Sequence, residues 1–354
     1  MQKIEWLEAN LDFLMEYFNI NNRRYLGNKY KLLDWIKLIV NEQCGDIESL
    51  FDVFSGTGSV ASAFTDKRLV VNDMMYSNYM AALCWFSSQK IDHSKLADII
   101  NFYNDFNALN ETNYMSENFS NTYFDELTCK KIGFVREDIE ERFATGRINE
   151  RERASLITSL FYAMDRISHT CGHYDSFIRD GKYTGILELK MPSNDYLLNA
   201  ENQIFCADSN TIADKVSVDV AYLDPPYNSR QYCDAYHLLE NVAIWNKPEV
   251  FGVAKKMDRT KMKSKYCKSI EAAKALDELV MKLDCRYILL SYNNNGKKLQ
   301  VRSNAKMTDE EIVDTLSKRG EVKVFTTDYR GFDAGKSEMN KDNQERLFLC
   351  SVNK

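Results

Sequence analysis

The 354-residue chain sets 46 Lys and Arg against 52 Asp and Glu, a formal net charge of −6, with 44% hydrophobic and 28% charged residues. That balance fits a globular protein of one large or two smaller domains, and no uninterrupted apolar run approaches the roughly 20 residues of a membrane-spanning helix. The mixed N-terminus from Met1 to Glu8 has no apolar signal-peptide core, so a cytoplasmic protein is expected. Nine cysteines stand singly with no Cys-x-x-Cys pair, so neither a zinc site nor a disulfide framework is expected.

In chain order, apolar spacing predicts an amphipathic helix over residues 4–18, then a polar turn at 24–29 and a helix over 31–40. A strand-like run over 49–54 ends in Ser55-Gly56-Thr57-Gly58. Helical spacing resumes at Ser59, and Leu69-Val70-Val71 reads as a second buried strand ending at Asn72-Asp73. Strand, glycine turn, helix, strand and acid form the pattern of an α/β unit with a parallel sheet. From 88 to 200 the character changes: Asn, Tyr and Phe are dense over 101–124, and helical patterns follow at 137–143 and 151–167. This stretch reads as an inserted subdomain firmly packed on the rest. Strand-like runs return at 202–207, 218–223, 286–291, 322–326 and 346–352.

Three groups of residues carry chemistry. Asp224-Pro225-Pro226-Tyr227 follows an apolar run. Its carboxylate can accept a hydrogen bond from an exocyclic amine. The two prolines disfavour regular pairing and leave the Pro225 carbonyl as a second acceptor. Tyr227 offers a stacking plate worth about 1–3 kcal/mol per base. Together they suit the amine of an adenine or cytosine taken out of its helix, although Pro-Pro alone is also turn punctuation. The second group is the turn Phe54-Ser55-Gly56-Thr57-Gly58, whose glycines allow close backbone approach to a ligand. With it come Asp52, Asp73 and Asp208, which share with Asp224 a place at or near carboxyl ends of predicted strands, where open α/β sheets bind ligands. Each acid alone also suits a helix N-cap. Nicotinamide and flavin enzymes use the same turn, but no hydride-transfer site is evident. The third group is basic: residues 255–268 hold Lys255, Lys256, Arg259, Lys261, Lys263, Lys265 and Lys268 against Asp258, either a solvated loop or a contact with phosphates.

The order of Tyr25-Leu-Gly27-Asn-Lys29, Asp52 to Gly58, Asn72-Asp73, Ala207-Asp208 and Asp224 to Tyr227 resembles the Dam-like, α-group adenine-N6 DNA methyltransferases. Leu290-Ser291-Tyr292-Asn293-Asn294 and Ile167 to Tyr174 fit as well, and the latter is closer to type II restriction–modification members. The resemblance covers about residues 22–330; Asn28 and Ser55 are mild departures from it. It implies a Rossmann-like S-adenosylmethionine-dependent methyltransferase sheet in 1–87 plus 201–354, with 88–200 as a mostly helical target-recognition subdomain. By the same resemblance Tyr25, Gly27 and Lys29 close over the methionine end of S-adenosylmethionine. Asp52, Phe54, Ser55, Gly56, Thr57 and Gly58 form the cofactor loop, Asp73 holds the ribose and Asp208 meets the cofactor's adenine. Asp224, Pro225, Pro226 and Tyr227 receive the target base. Cytosine-N4 members more often carry Ser in place of Asp224, which favours adenine. Glutamine methylation uses Asn-Pro-Pro-Tyr, from which Asp224 departs.

The function so implied is site-specific transfer of a methyl group to adenine N6 in double-stranded DNA, with no metal, by a monomer paired with a cognate restriction endonuclease. A catalytically inactive or RNA-directed relative is the alternative. Lys261, Lys263 and Lys265 are the expected phosphate contacts. Asn149, Arg151 and Arg153 are possible base readers, with a solvated helix face the plainer expectation for the two arginines.

Overall fold

A computed structural model describes residues 16–106, 110–179, 182–194, 198–227, 229–293, 307–328 and 344–353. Seven strands form one sheet: β1 Ser49–Asp52, β2 Arg68–Asn72, β3 Gln203–Phe205, β4 Ser217–Leu223, β5 Asp284–Asn293, β6 Gly320–Asp328 and β7 Gln344–Val352. Their spatial order is β3-β2-β1-β4-β5-β7-β6. All neighbours are parallel except at β7, which runs antiparallel to both β5 and β6. The chain winds outward from β1 in one direction and resumes at β4 in the other. The carboxyl ends of β1 and β4 therefore flank a topological switch point, where such sheets open a ligand crevice.

The central strands are buried on both faces, as parallel strands covered by helices must be. Period-two alternation divides their side chains between two cores. Leu50, Leu69, Val71, Val220, Tyr222, Leu289 and Leu347 face one core. Phe51, Val70, Ala221, Leu223, Ile288, Leu290 and Phe348 face the other. Helix α1 (Leu33–Gln43), α2 (Tyr76–Phe86), α3 (His93–Asp105), α4 (Glu126–Ala144), α5 (Glu150–Ile167) and α6 (His237–Ile244) pack on the first face. Helices α7 (Ser269–Lys282) and α8 (Asp309–Ser317) pack on the second. Within 88–200, Ile100, Ile132, Ile157 and Phe161 join the same core as the sheet. That stretch thus lies on one face of the sheet and shares its core.

Two sequence expectations change. The predicted helix over 4–18 lies outside the described residues up to 15, and Tyr17–Phe18 instead pairs in parallel with Met191–Pro192. The arginines of α5 are not a solvated face: Arg151 is 7% and Arg153 8% exposed. Arg151 donates to the carbonyls of Cys84 and Gln89, and Arg153 to Glu140 and the Tyr76 hydroxyl. Asn149 is the N-cap of α5, in a reciprocal capping box with Glu152. All three side chains are spent on internal contacts. Helical periodicity could not show this, because α5 packs against α2, α3 and α4, and both guanidinium groups reach residues of α2.

The N-terminus of α2, which leaves the carboxyl edge just after Asp73, is closed by a buried acid from α6. Both Glu240 carboxylate oxygens accept, from the Tyr76 amide at 2.7 Å and the Ser77 amide at 2.9 Å. These are orphan donors of a helix start, where negative charge is favoured. Removing the acceptor leaves both unpaired, so Glu240→Ala should lose about 2–4 kcal/mol of stability in urea unfolding, with Glu240→Gln intermediate.

Candidate active site

The crevice is built first from backbone. After β1 the chain turns through Gly56 at φ 53° and Gly58 at φ 81°, conformations that disfavour a side chain. Space forbids one too: a Cβ on Gly58 would lie 2.7 Å from the ring of Phe86. The Ser55 amide donates to the Asn72 carbonyl at 2.9 Å, tying the turn to β2. The Asn72 side chain then donates to the carbonyls of Val53 and Ala207, joining the ends of β1, β2 and β3. Asp73 accepts from the amides of Gly56 at 2.9 Å and Met75 at 2.8 Å. Burial pushes its carboxyl up to about 6, against those two amides.

The Tyr25–Lys29 turn lies over this crevice, held by aromatic side chains that the sequence reading did not single out. Tyr236 stacks on Tyr25 with centroids 4.4 Å apart and planes at 11°, and its hydroxyl accepts from the Leu26 amide. Tyr232 lies 5.4 Å from Tyr25 and donates to the Leu26 carbonyl. Their only sequence signal is an i, i+4 aromatic pair shortly after Tyr227. Arg23, 3% exposed, places its guanidinium 5.2 Å from the Tyr25 ring.

The turn delivers Lys29 to Asp224 at the end of β4, Nζ to Oδ1 2.9 Å. The same ammonium lies 3.3 Å from Oε1 of Glu345 and 3.4 Å from the Gly27 carbonyl. Burial opposes the charge on Lys29, but Asp224 and Glu345 outweigh it and hold the ammonium well above the usual lysine range. Burial pushes Asp224 up to about 6, Lys29 opposes the shift and Glu345 adds to it. Asp52 is more extreme: burial pushes it up to about 8 despite a hydrogen bond from the Ala61 amide. Among the described residues no donor reaches the second oxygen of Asp224. Glu345 was not foreseen, because it stands just ahead of the run that reads as the last strand, with no spacing that links it to Asp224.

These parts enclose a cleft with about 1030 Å³ of empty space, some of it open to solvent. Of the residues expected to bind cofactor and target base, Gly58, Pro225 and Tyr227 fall outside its lining; Lys263 and Lys265 of the basic segment line it and Lys261 does not. Tyr227 packs edge-on against Tyr292, 5.7 Å between centroids, with the Lys29 ammonium 5.4 Å from its ring. Asp208 caps the short helix Ser209–Ile212 through the Asn210 amide and lies 3.8 Å from Lys265. The far end of the cleft is aromatic, with Phe54 set edge-on to Tyr266. Ser55 Oγ, in the cleft wall, is buried without a hydrogen-bond partner among the described residues. An orphaned hydroxyl, a glycine turn and a surplus of carboxylates fit a polar, cationic ligand with an aromatic end. In the basic segment Lys256 pairs with Asp175, Arg259 with Asp234 and Lys268 with Glu271. Lys261 and Lys263 are exposed and have no acidic partner among the described residues. Asn294 of the motif after β5 lies outside the described residues.

The sheet order and the crevice at its switch point define an α/β protein with the Rossmann-like methyltransferase fold. The profile of the D12 class N6 adenine-specific DNA methyltransferase family matches residues 25–305, and the chain belongs to that family. It is 31% identical over 339 residues to the modification methylase StsI of Streptococcus sanguinis, covering 92% of this chain and 51% of that protein. The type II methyltransferase M.FokI of Planomicrobium okeanokoites is 29% identical over 344 residues, 92% of this chain and 52% of its own. The type II methyltransferase M.NlaIII of Neisseria lactamica is 28% identical over 323 residues, covering 89% of this chain and 93% of that protein. The chain thus spans about half the length of the first two and nearly all of the third. No described helix is long and apolar enough to cross a membrane.

Burial of Asp52 ties the stability of the fold to pH. An unfolded aspartate titrates near 3.9, so the fold prefers the neutral carboxyl. That contribution is complete below pH 4 and is lost as pH rises toward 8. Asp52→Asn should therefore melt with the wild type near pH 4 and progressively above it up to pH 8, in thermal unfolding without ligand.

Proposed function

We propose that this chain transfers a methyl group from S-adenosylmethionine to the N6 amine of an adenine flipped out of double-stranded DNA. The observation that carries the reading is Asp224 in the wall of the crevice, one oxygen fixed by Lys29 and the other left to the cleft. Family membership supports the methyl donor and the DNA substrate.

The donor supplies an electrophilic methyl on a sulfonium sulfur. Gly56 and Gly58 let the chain pass close to it, Asp73 is placed for its ribose, and Asp208 with Phe54 for its adenine. Asp73, Asp224 and Glu345 outnumber the Lys29 ammonium in and beside the pocket, which favours a cation. Tyr25, Gly27 and the rest of their turn cover the methionine end. Lys29 departs from that role in one respect, since its ammonium is turned to Asp224 and Glu345.

Adenine N6 is a weak nucleophile because its lone pair is delocalised into the ring. Accepting hydrogen bonds from both amine protons, Asp224 and the Pro225 carbonyl localise the lone pair and stabilise positive charge developing on nitrogen. The N–CH3 bond forms as the S–CH3 bond breaks in line, with proximity supplying much of the acceleration. The amine proton leaves after transfer, so Asp224 need not be a strong base. Pro226 lines the cleft beside it, and Tyr227 is the stacking plate for the base. Residues 88–200 are assigned to target recognition, without Asn149, Arg151 or Arg153. A monomer acting beside a cognate endonuclease is the setting this reading implies.

Asp224→Ala and Asp224→Asn should each lower kcat at least a hundredfold, on the scale of losing one preorganised partner. S-adenosylmethionine affinity by calorimetry should be preserved. Methyl transfer within a few fold of wild type would reject the mechanism. On the rim, a Lys261, Lys263 and Lys265 triple glutamine variant should weaken DNA binding and flatten the plot of log affinity against log salt. The slope should change by about 0.9 for each phosphate that is no longer neutralised. Lys261 and Lys263 should account for most of the change, because Lys265 is shared with Asp208.

A further inference from the structure

We propose that Glu345 is a positioning residue for methyl transfer. It takes a share of the Lys29 ammonium, so that Asp224 is held through one carboxylate oxygen and keeps the other for the incoming amine. The inference rests on the reading of Asp224 given above.

Lys29 Nζ donates to Asp224 at 2.9 Å and to the Gly27 carbonyl at 3.4 Å, and forms an ion pair with Glu345 at 3.3 Å. Drawn toward Glu345 on one side, the Lys29 ammonium meets Asp224 through Oδ1 alone. Glu345 is itself fixed. Its Oε1 accepts from the Ser291 hydroxyl at 3.1 Å and its Oε2 from the Asn293 amide at 3.0 Å. Both hydrogen-bond donors come from the end of β5, and Asn293 is the register partner of Glu345. Lys29 is 5% and Glu345 2% exposed, so each carboxylate–ammonium contact is made in a poorly solvated place.

Charge gives the second effect. Lys29 with Asp224 alone would be neutral; Glu345 leaves the cluster at −1, next to where positive charge develops on N6. The groups facing Asp224 are Lys29 from the turn, Glu345 from β7, Tyr222 from its own strand, Asp52 from β1 and Tyr232 from the helical turn that follows. Of these only Glu345 and Lys29 belong to the contact network that sets Asp224. Removing the Glu345 charge removes one influence that raises the Asp224 carboxyl.

The test uses the full chain, S-adenosylmethionine and plasmid DNA from a host without adenine methylation, with Glu345→Gln, Glu345→Asp and Asp224→Asn. Expected for Glu345→Gln is a kcat at least about tenfold lower, with S-adenosylmethionine affinity and DNA KM within a few fold. Its acid limb in kcat should move to lower pH. Glu345→Asp should leave that limb in place and recover part of kcat. An unchanged kcat overturns the proposal. So does an unmoved limb with equal losses of melting temperature and S-adenosylmethionine affinity in both Glu345 variants, the behaviour of a mere strut. If Glu345→Gln fails to fold, Ser291→Ala and Asn293→Ala loosen the same carboxylate while keeping its charge. A lowered kcat with an unmoved limb supports positioning, and an unchanged kcat rejects it. Full activity in Asp224→Asn sinks the parent mechanism instead, whatever the Glu345 variants do.

Discussion

Four carboxylates and one ammonium are buried together at the carboxyl edge of the sheet, and most of the site's organisation answers to that fact. Burying charge without compensation costs several kcal/mol per ion. Asp73 and Asp52 meet the problem with backbone amides and by shifting toward the neutral form, while Asp224 and Glu345 meet it by dividing one lysine. The solution is incomplete by design of the fold: negative charge outnumbers positive inside the crevice. A ligand that is cationic at its centre relieves the imbalance, and a nitrogen gaining positive charge relieves it further. Under the proposed reaction, binding of the donor and transfer of its methyl group would both draw on the same electrostatic surplus.

The lysine can serve both acids because of where the strands end. Lys29 precedes β1, Asp224 closes β4 and Glu345 opens β7. In a wholly parallel sheet the first residues of β7 would lie at the opposite edge from the Asp224 carboxylate. Reversal of β7 brings Glu345 beside Asn293, the last residue of β5. The turn carrying Lys29 needs its own support, and the stacked Tyr25, Tyr232 and Tyr236 provide it. Tyr232 and Tyr236 follow the Asp224–Tyr227 segment directly, so the element that positions the acid also positions the lysine that holds it.

Much of this was legible in the sequence, and the reasons are local. The glycine turn and the acids after β1, β2 and β4 are written as short contiguous motifs, and buried parallel strands read as apolar runs. What was missed depends on distance or on packing from outside. Glu345 lies far along the chain from Asp224 and stands before its strand's apolar run, so no periodicity marks it. Arg151 and Arg153 sit on the polar side of a well-formed helical pattern, yet neighbouring helices cover that side and the guanidinium groups pair with carbonyls and Glu140. The segment at Tyr17–Phe18 has helical spacing, but pairing with Met191–Pro192 overrides it. The place of Tyr227 next to Asp224 is plain from the motif, whereas its packing against Tyr292, outside the cleft wall, required the strand β5 to be in place.

The family match covers Lys29 and Asp224 and stops at residue 305, ahead of Glu345. The acid that completes the cluster therefore comes from a strand beyond the matched stretch. Its placement is a matter of register. Side chains alternate between faces along β7, so a slip of one residue would send Glu345 to the other side of the sheet and bring Arg346 toward the lysine. The apolar alternation from Leu347 to Cys350, divided between the two cores, forbids that slip because it would invert every one of those residues. The core thus enforces the chemistry: the same period-two pattern that packs β7 fixes which charge meets Lys29.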